Sequence, residues 1–240
     1  GVLAALLVAS VRAGSRVAAP SGPAELTIDV RGHQFWWEVR YPDHQVVSAN
    51  EVHIPVGRPV RLRLSSADVI HSFWVPELHG KMDMIPGETN VLRVQADRAG
   101  VYRGSCAEFC GVQHALMAFE LVAEPAGALA AWLHARRAPS APPSDDHGRR
   151  GLEVYVAAGC AHCHAIQGVV PPSATGSVGP DLTHVASRRT LAAATLPNNR
   201  GYLAGWVLNP QHHKPGSRMP PVTLAPDSLM ALLDYLEGLR

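Results

Sequence analysis

Apolar and polar residues alternate with a period of two along Glu25-Leu26-Thr27-Ile28-Asp29-Val30-Arg31 and again along Val60-Arg61-Leu62-Arg63-Leu64. That is the pattern of a strand buried on one face. Thr89 to Val94, Val101 to Arg103 and Ala118 to Val122 are predicted to be further short strands. Turn signals separate them at Pro42-Asp43, Pro55-Val56-Gly57, Pro86-Gly87 and Ala99-Gly100. Short strands at such spacing predict a β-sandwich or barrel. The period then changes. Leu129, Trp132 and Leu133 have helical spacing, so a short closing helix is expected over 126–137. Ala138 to Asp146 is rich in Pro and Ser and reads as a linker. Extended as polyproline II it advances about 3.1 Å per residue, enough for one half to swing onto the other. The second half is mostly helical by pattern, with a helix over Leu152 to Ala158. A last helix, capped by Asp227 or Ser228, carries Leu229, Leu232, Leu233 and Leu236 on one face.

A chain of 240 residues suits two domains of ordinary size. The expected division is 1–23, 24–137, a linker over 138–148, and 149–240. A formal net charge of +1 argues against nucleic-acid binding as the main role. The chain opens on an apolar run, Val2 to Ala9, shorter than the about 20 residues that span a bilayer. Two readings stand: the tail of a signal peptide, or the outer end of a transmembrane helix that starts upstream. Residues 10–23 read as a connector.

The densest chemistry lies in Cys106-Ala107-Glu108-Phe109-Cys110-Gly111-Val112-Gln113-His114-Ala115-Leu116-Met117. Thiolate and thioether are soft ligands and imidazole suits copper, so this set selects copper over magnesium or calcium. Two cysteines point to two metals sharing bridging thiolates. A second imidazole must come from elsewhere, and His71 is the best source. The plainer alternative, a Cys106–Cys110 disulfide, leaves His114 and Met117 unexplained. Farther on, Cys160-Ala161-His162-Cys163-His164 is the C-x-x-C-H signature of c-type haem attachment. Its alternative, a thioredoxin-like C-x-x-C, makes the following His a coincidence. All four cysteines are used by these two motifs, and both point to an oxidising compartment outside the cytoplasm.

The first motif resembles the CuA loop of subunit II of haem–copper cytochrome c oxidases. Asp68 to Leu78, Gly80-Lys81-Met82-Asp83 and Gly32-His33-Gln34-Phe35-Trp36-Trp37 resemble further segments of that family, and the likeness runs from roughly 24 to 125. It implies a cupredoxin Greek-key sandwich, mainly β, followed by an all-α class I cytochrome c domain. The copper loop would lie between the last two strands. By position the dinuclear copper ligands fall on His71, Cys106, Cys110, His114, Met117 and the Glu108 carbonyl. The Glu108 carboxylate is then free for a Mg²⁺ or Mn²⁺ at the boundary with subunit I, as suits a hard oxygen ligand. Cys160 and Cys163 would hold the haem covalently, with His164 as the proximal iron ligand. Lys214 to Pro221 resembles the Met loop of small cytochromes c, making Met219 the sixth ligand ahead of His212 and His213. A Met/His pair raises the haem potential.

Phe35 stands where many relatives carry a Trp that receives electrons from a soluble cytochrome. Phe35 and Trp36 are therefore expected on an electron path, and Trp37 in the core. Arg188 is expected to reach a haem propionate or to lie in solvent, and His79 to be a surface residue.

The family implies an enzyme subunit through which electrons enter a terminal respiratory oxidase. They would pass from haem c to CuA and on to subunit I, where O₂ is reduced and protons are pumped. The implied partners are subunits I and III, a cytochrome c or quinol-oxidising complex as donor, and the bacterial plasma membrane, with the soluble domains on its periplasmic face. The competing readings are a freestanding periplasmic copper–haem electron-transfer protein and a nitrous oxide reductase-like enzyme. The latter needs a large His-rich domain that this sequence lacks.

Overall fold

The computed structural model describes residues 1–18, 26–173 and 178–240. Helix α1 spans Val2–Ala18, so the helix runs through much of the stretch read as a connector. The stretch Ser10 to Ala18 mixes Ala and Val with Ser and Arg, and holds neither Pro nor Asn to stop the helix before Ala18. No helix among the described residues is long and apolar enough to cross a membrane. Glu25 and residues 19–24 lie outside the described residues.

Ten strands follow: β1 Leu26–His33, β2 Trp36–Tyr41, β3 Val46–Ala49, β4 Glu51–Pro55, β5 Val60–Ser66, β6 His71–Trp74, β7 Met82–Met84, β8 Asn90–Val94, β9 Gly100–Cys106 and β10 Ala118–Glu124. They form two five-stranded sheets, ordered β3-β2-β1-β5-β8 and β4-β10-β9-β6-β7. Each sheet contains one parallel pair, β1 with β5 and β4 with β10, so the chain crosses between the layers. The alternating strands behave as their pattern requires: Ile28, Val30, Leu62 and Leu64 are fully buried, while Arg61 and Arg63 stay in solvent. Between the sheets Trp37 meets Phe119 edge-on at 5.2 Å and Phe73 at 5.9 Å, giving Trp37 the packing role expected of it. Strands β2, β3 and β4 have no signature in the hydropathy pattern, while β6 and β7 begin in Asp68 to Leu78 and Gly80 to Asp83, the segments that resemble the family's ligand strand. Their polar residues sit inside: Glu38, Ser48, Glu51, His53, His71 and Ser72 are all buried, so no alternation marks them.

Helix α2, Ala126–Arg137, closes this sandwich with Leu129 and Leu133 inward. The following segment is tied down. The Ser140 N–H donates to the Gln167 carbonyl at 2.9 Å and its hydroxyl to that of Thr183 at 3.1 Å. The Pro- and Ser-rich linker is therefore held at its start rather than free to swing there. Helix α3, Asp146–Ala157, takes the linker's last residues because Asp145 caps it, accepting from Gly148 N–H at 2.7 Å.

Helices α4 Arg200–Leu208, α5 Pro210–His213 and α6 Pro226–Gly238 complete the second half. α6 has no side-chain cap from Asp227 or Ser228. Ala225 occupies the cap position and Pro226 the first turn, where a missing N–H costs nothing. α3 crosses α6 so closely that a Cβ on Gly151 would lie 2.3 Å from the Ala231 carbonyl. This half also contains a small antiparallel ribbon, β11 Thr190–Leu191 with β12 Leu196–Pro197. Its other regular elements among the described residues are helices, as expected. A second core of Val154, Tyr155, Leu203, Val207, Leu232, Leu233 and Leu236 fills it.

Candidate metal and haem sites

The β9–β10 loop and β6 meet at one end of the sandwich. β6 pairs with β9 at Phe73–Cys106, which carries His71 toward the loop. The ligand-capable atoms of His71, Cys106 and Cys110 lie within 4.8 Å of one another. Cys106 Sγ is 3.8 Å from His71 Nδ1 and 3.1 Å from the Glu108 carbonyl oxygen. Cys110 Sγ is 3.7 Å from both His114 Nδ1 and Met117 Sδ. All six groups singled out in the sequence thus converge on one spot. Cys106 and Cys110 are free thiols, which removes the disulfide alternative.

The two thiols titrate as a pair. A proton shared from Cys110 and the nearby His71 ring hold Cys106 down, to about 3. The same bond, burial and the Cys106 charge push Cys110 up. One negative charge is stable there unaided, and a second calls for cations. A donor set of two sulfurs that share a charge, two imidazoles and a thioether fits soft or borderline metals. His71 Nε2 lies 2.8 Å from Asp68 Oδ1, the carboxylate–histidine arrangement that orients a ligating ring. Asp68 is held well down, to about 2. Its burial is outweighed by bonds from His71 and from the Gln34 and Val69 amides.

A cavity of about 210 Å³ is lined by Cys160, Cys163, His164 and Met219 together, with Leu203, Trp206 and Leu232 among its apolar walls. His164 Nδ1 donates to the Pro180 carbonyl at 2.7 Å, which leaves Nε2 as the free lone pair. Burial pushes the imidazole pKa down, so it is held neutral as a ligand must be. Paired thiols, a neutral ring and a thioether around an apolar cavity fit a covalently held haem. His212 and His213 do not line this cavity, whereas Arg188 does. Arg188 donates to the Asp181 carbonyl, so it is not a solvent arginine. His79 is also corrected: it is 5 % exposed and stacked on Phe73 with centroids 5.7 Å apart.

Gln34, Phe35, Trp36 and Asn50, from the β-sandwich, line the same cavity. Several bonds join the halves. Lys214 Nζ donates to the carbonyls of Leu116 and Ala192 at 2.9 and 3.1 Å. Gln113 donates to the Pro215 carbonyl and Arg218 to Gln34 Oε1. Arg189 pairs with Glu120 at 2.8 Å. Asp68, Gln34, Lys214 and Arg218 lie in segments that carry the family resemblance, but residue type and spacing give none of them a role. A carboxylate three residues before His71 was a readable signal for Asp68. Nothing local marks the roles of the other three: Gln34 bonds to Cys110, 76 residues on, Lys214 to Leu116, 98 residues back, and Arg218 to Gln34, 184 residues back.

Residues 44–124 match the family described as cytochrome C oxidase subunit II, periplasmic domain, and residues 148–240 match cytochrome c. The chain is 38% identical over 221 residues to the cytochrome c oxidase subunit 2 of Alkalihalophilus pseudofirmus, covering 91% of this chain and 63% of the relative. It is 30% identical over 223 residues to that of Bacillus subtilis, covering 90% and 62%. The chain thus spans less than two thirds of these relatives' length. Among solved structures, the periplasmic domain of subunit II of cytochrome oxidase (CoxB) of Bradyrhizobium japonicum is 30% identical. It covers 48% of this chain and 96% of that one, with a TM-score of 0.47.

Proposed function

Because the chain belongs to the cytochrome c oxidase subunit II family, with a cytochrome c domain following its periplasmic domain, we propose that it is the subunit through which electrons enter a terminal respiratory oxidase. It passes them from haem c to CuA and on to subunit I, where O₂ is reduced and protons are pumped. The observation that carries this reading is the convergence of His71, Cys106, the Glu108 carbonyl, Cys110, His114 and Met117 beside a cavity lined by Cys160, Cys163, His164 and Met219.

Copper and haem c supply one-electron redox chemistry when bound. The chain's own residues hold and orient them. His71, Cys106, Cys110, His114, Met117 and the Glu108 carbonyl would hold copper, with Asp68 fixing the His71 ring. Cys160 and Cys163 would attach the haem covalently, and His164 and Met219 would ligate its iron. Burial of both thiols, at 6 % and 2 % exposure, excludes water from them. Phe35 and Trp36 line the haem cavity on the sandwich side and stand on the electron path.

The partners follow from the same surface. Phe109, 76 % exposed within the copper loop, suits a contact with subunit I. The Glu108 carboxylate, exposed and 3.3 Å from Lys81 Nζ, is available for a Mg²⁺ or Mn²⁺ at that boundary. Subunit III, and a cytochrome c or quinol-oxidising complex as donor, complete the assembly. On this reading the chain works at a bacterial plasma membrane with its domains on the periplasmic face.

Metal analysis and electron paramagnetic resonance of the holoprotein test the reading. Two coppers per haem with a mixed-valence signal are expected. One copper per chain with a four-line spectrum overturns the dinuclear site, and Cys106→Ser or Cys110→Ser should abolish the mixed-valence signal.

A further inference from the structure

We propose that Gln34 is a positioning residue that locks the loop carrying Met219 onto the copper loop; this rests on the functional reading above and assigns the contact between its two sites. Gln34 follows β1 at the turn into β2 and uses three hydrogen-bonding groups in three directions. Its backbone N–H donates to Asp68 Oδ2 at 2.7 Å, and Asp68 holds the His71 ring at 2.8 Å. Its side-chain Nε2 donates to the Cys110 carbonyl at 2.7 Å. Its side-chain Oε1 accepts from Arg218 Nη2, and Arg218 is the immediate neighbour of Met219.

The amide orientation is forced. A guanidinium can only donate and a carbonyl can only accept, so oxygen must face Arg218 and nitrogen must face Cys110. No other residue type of this length offers one donor and one acceptor at its tip. Glu keeps the acceptor and loses the donor; Ala loses both.

The surroundings are shaped to let the bridge form. Gly111, at φ +128, lies against it. A Cβ there would come within 3.0 Å of both Gln34 Nε2 and the Phe35 ring, so the loop approaches this closely only with glycine. Beside the bridge, Gln113 donates to the Pro215 carbonyl. A Cβ on Gly216 would lie 2.5 Å from Val112 Cγ2. The two loops therefore touch along their length, and Gln34 is the residue that reaches both. Its side chain is only partly buried, so the role is not one of filling a core.

The test uses the full chain loaded with copper and haem. Hydrogen exchange is followed at 110–117 and 214–219, alongside the copper and haem spectra and the rate of electron equilibration after rapid reduction. Gln34→Ala and Arg218→Ala are expected to raise exchange in both loops roughly tenfold, the worth of one charge-assisted hydrogen bond. They should slow equilibration while both spectra stay fixed. Gln34→Glu should keep 214–219 protected, because Arg218 retains its acceptor, yet lose protection at 110–117. Unchanged exchange in Gln34→Ala and Arg218→Ala overturns the proposal. A copper spectrum that shifts in Gln34→Ala together with the rate also overturns it, by placing the effect in the copper site through the Cys110 carbonyl. If the wild-type chain binds both groups but moves no electron between them, the functional reading fails, and the exchange data still decide the bridge.

Discussion

Lys214, on the loop leading to Met219, buries its ammonium against the carbonyl of Leu116 at 2.9 Å, one residue before Met117. The residue is 2 % exposed, and a second carbonyl, Ala192, lies 3.1 Å away. Burial pushes its pKa down to about 8. Between that value and the usual lysine range the unfolded chain binds the proton more tightly than the folded one. This group therefore adds stability as pH rises from about 8 toward about 10.4. Lys214→Met keeps the stem and removes the charge. It should flatten that rise in denaturant titrations, and at pH 7 should strand two buried carbonyls at a cost of about 1–3 kcal/mol. An identical pH slope in the variant would place the titration elsewhere.

His53 titrates with the opposite sign. Burial depresses its pKa, but the Glu124 carboxylate at 2.8 Å and the Glu51 carboxylate at 3.7 Å outweigh that, and the net shift is upward. Its stabilising contribution is complete below about pH 6.5, the unfolded value, and is lost as pH rises through the folded pKa. His53→Gln should therefore lose stability most at low pH and converge on the wild type at high pH. A gap that widens with pH would refute the assignment.

Gly104 has no room for a side chain. A Cβ there would lie 2.1 Å from the Phe119 ring, itself wedged between Trp37 and Phe73. Gly104→Ala should cost about 1–3 kcal/mol as the aromatic stack is forced apart. Thermal and denaturant unfolding of the holoprotein measure it, and a change within error would mean the ring moves freely.

Two residues test the haem site from opposite sides. Met219→Ala should remove the sulfur-to-iron absorption band and lower the reduction potential, since the thioether favours ferrous iron. Gly179→Ala should disturb the other side, because a Cβ there would lie 2.5 Å from the His164 ring. Its haem should remain covalently attached through Cys160 and Cys163 while the spectrum reports a displaced imidazole. Wild-type spectra in both variants would remove Met219 and His164 from the axial positions.

Cofactor chemistry was legible in this chain because it depends on residue type at short spacing. Cys106, Cys110, His114 and Met117 lie within twelve residues, and Cys160, Cys163 and His164 within five. Strands β1 and β5 were equally legible, since one buried face imposes a period of two. Tertiary structure decided what depends on distant partners. β4 and β6 carry His53, Ser72 and His71 into the interior, where His53 meets Glu124 of β10 and His71 meets Asp68 of the preceding loop, so no alternation announces these strands. The segment after α2 reads as a free tether, but Ser140 finds acceptors at Gln167 and Thr183. The contact of Gln34 with Arg218 joins residues 184 positions apart. A hydrogen bond between such residues leaves no periodic trace in sequence. It exists because folding brings two loops, each shaped by its own domain, to one place.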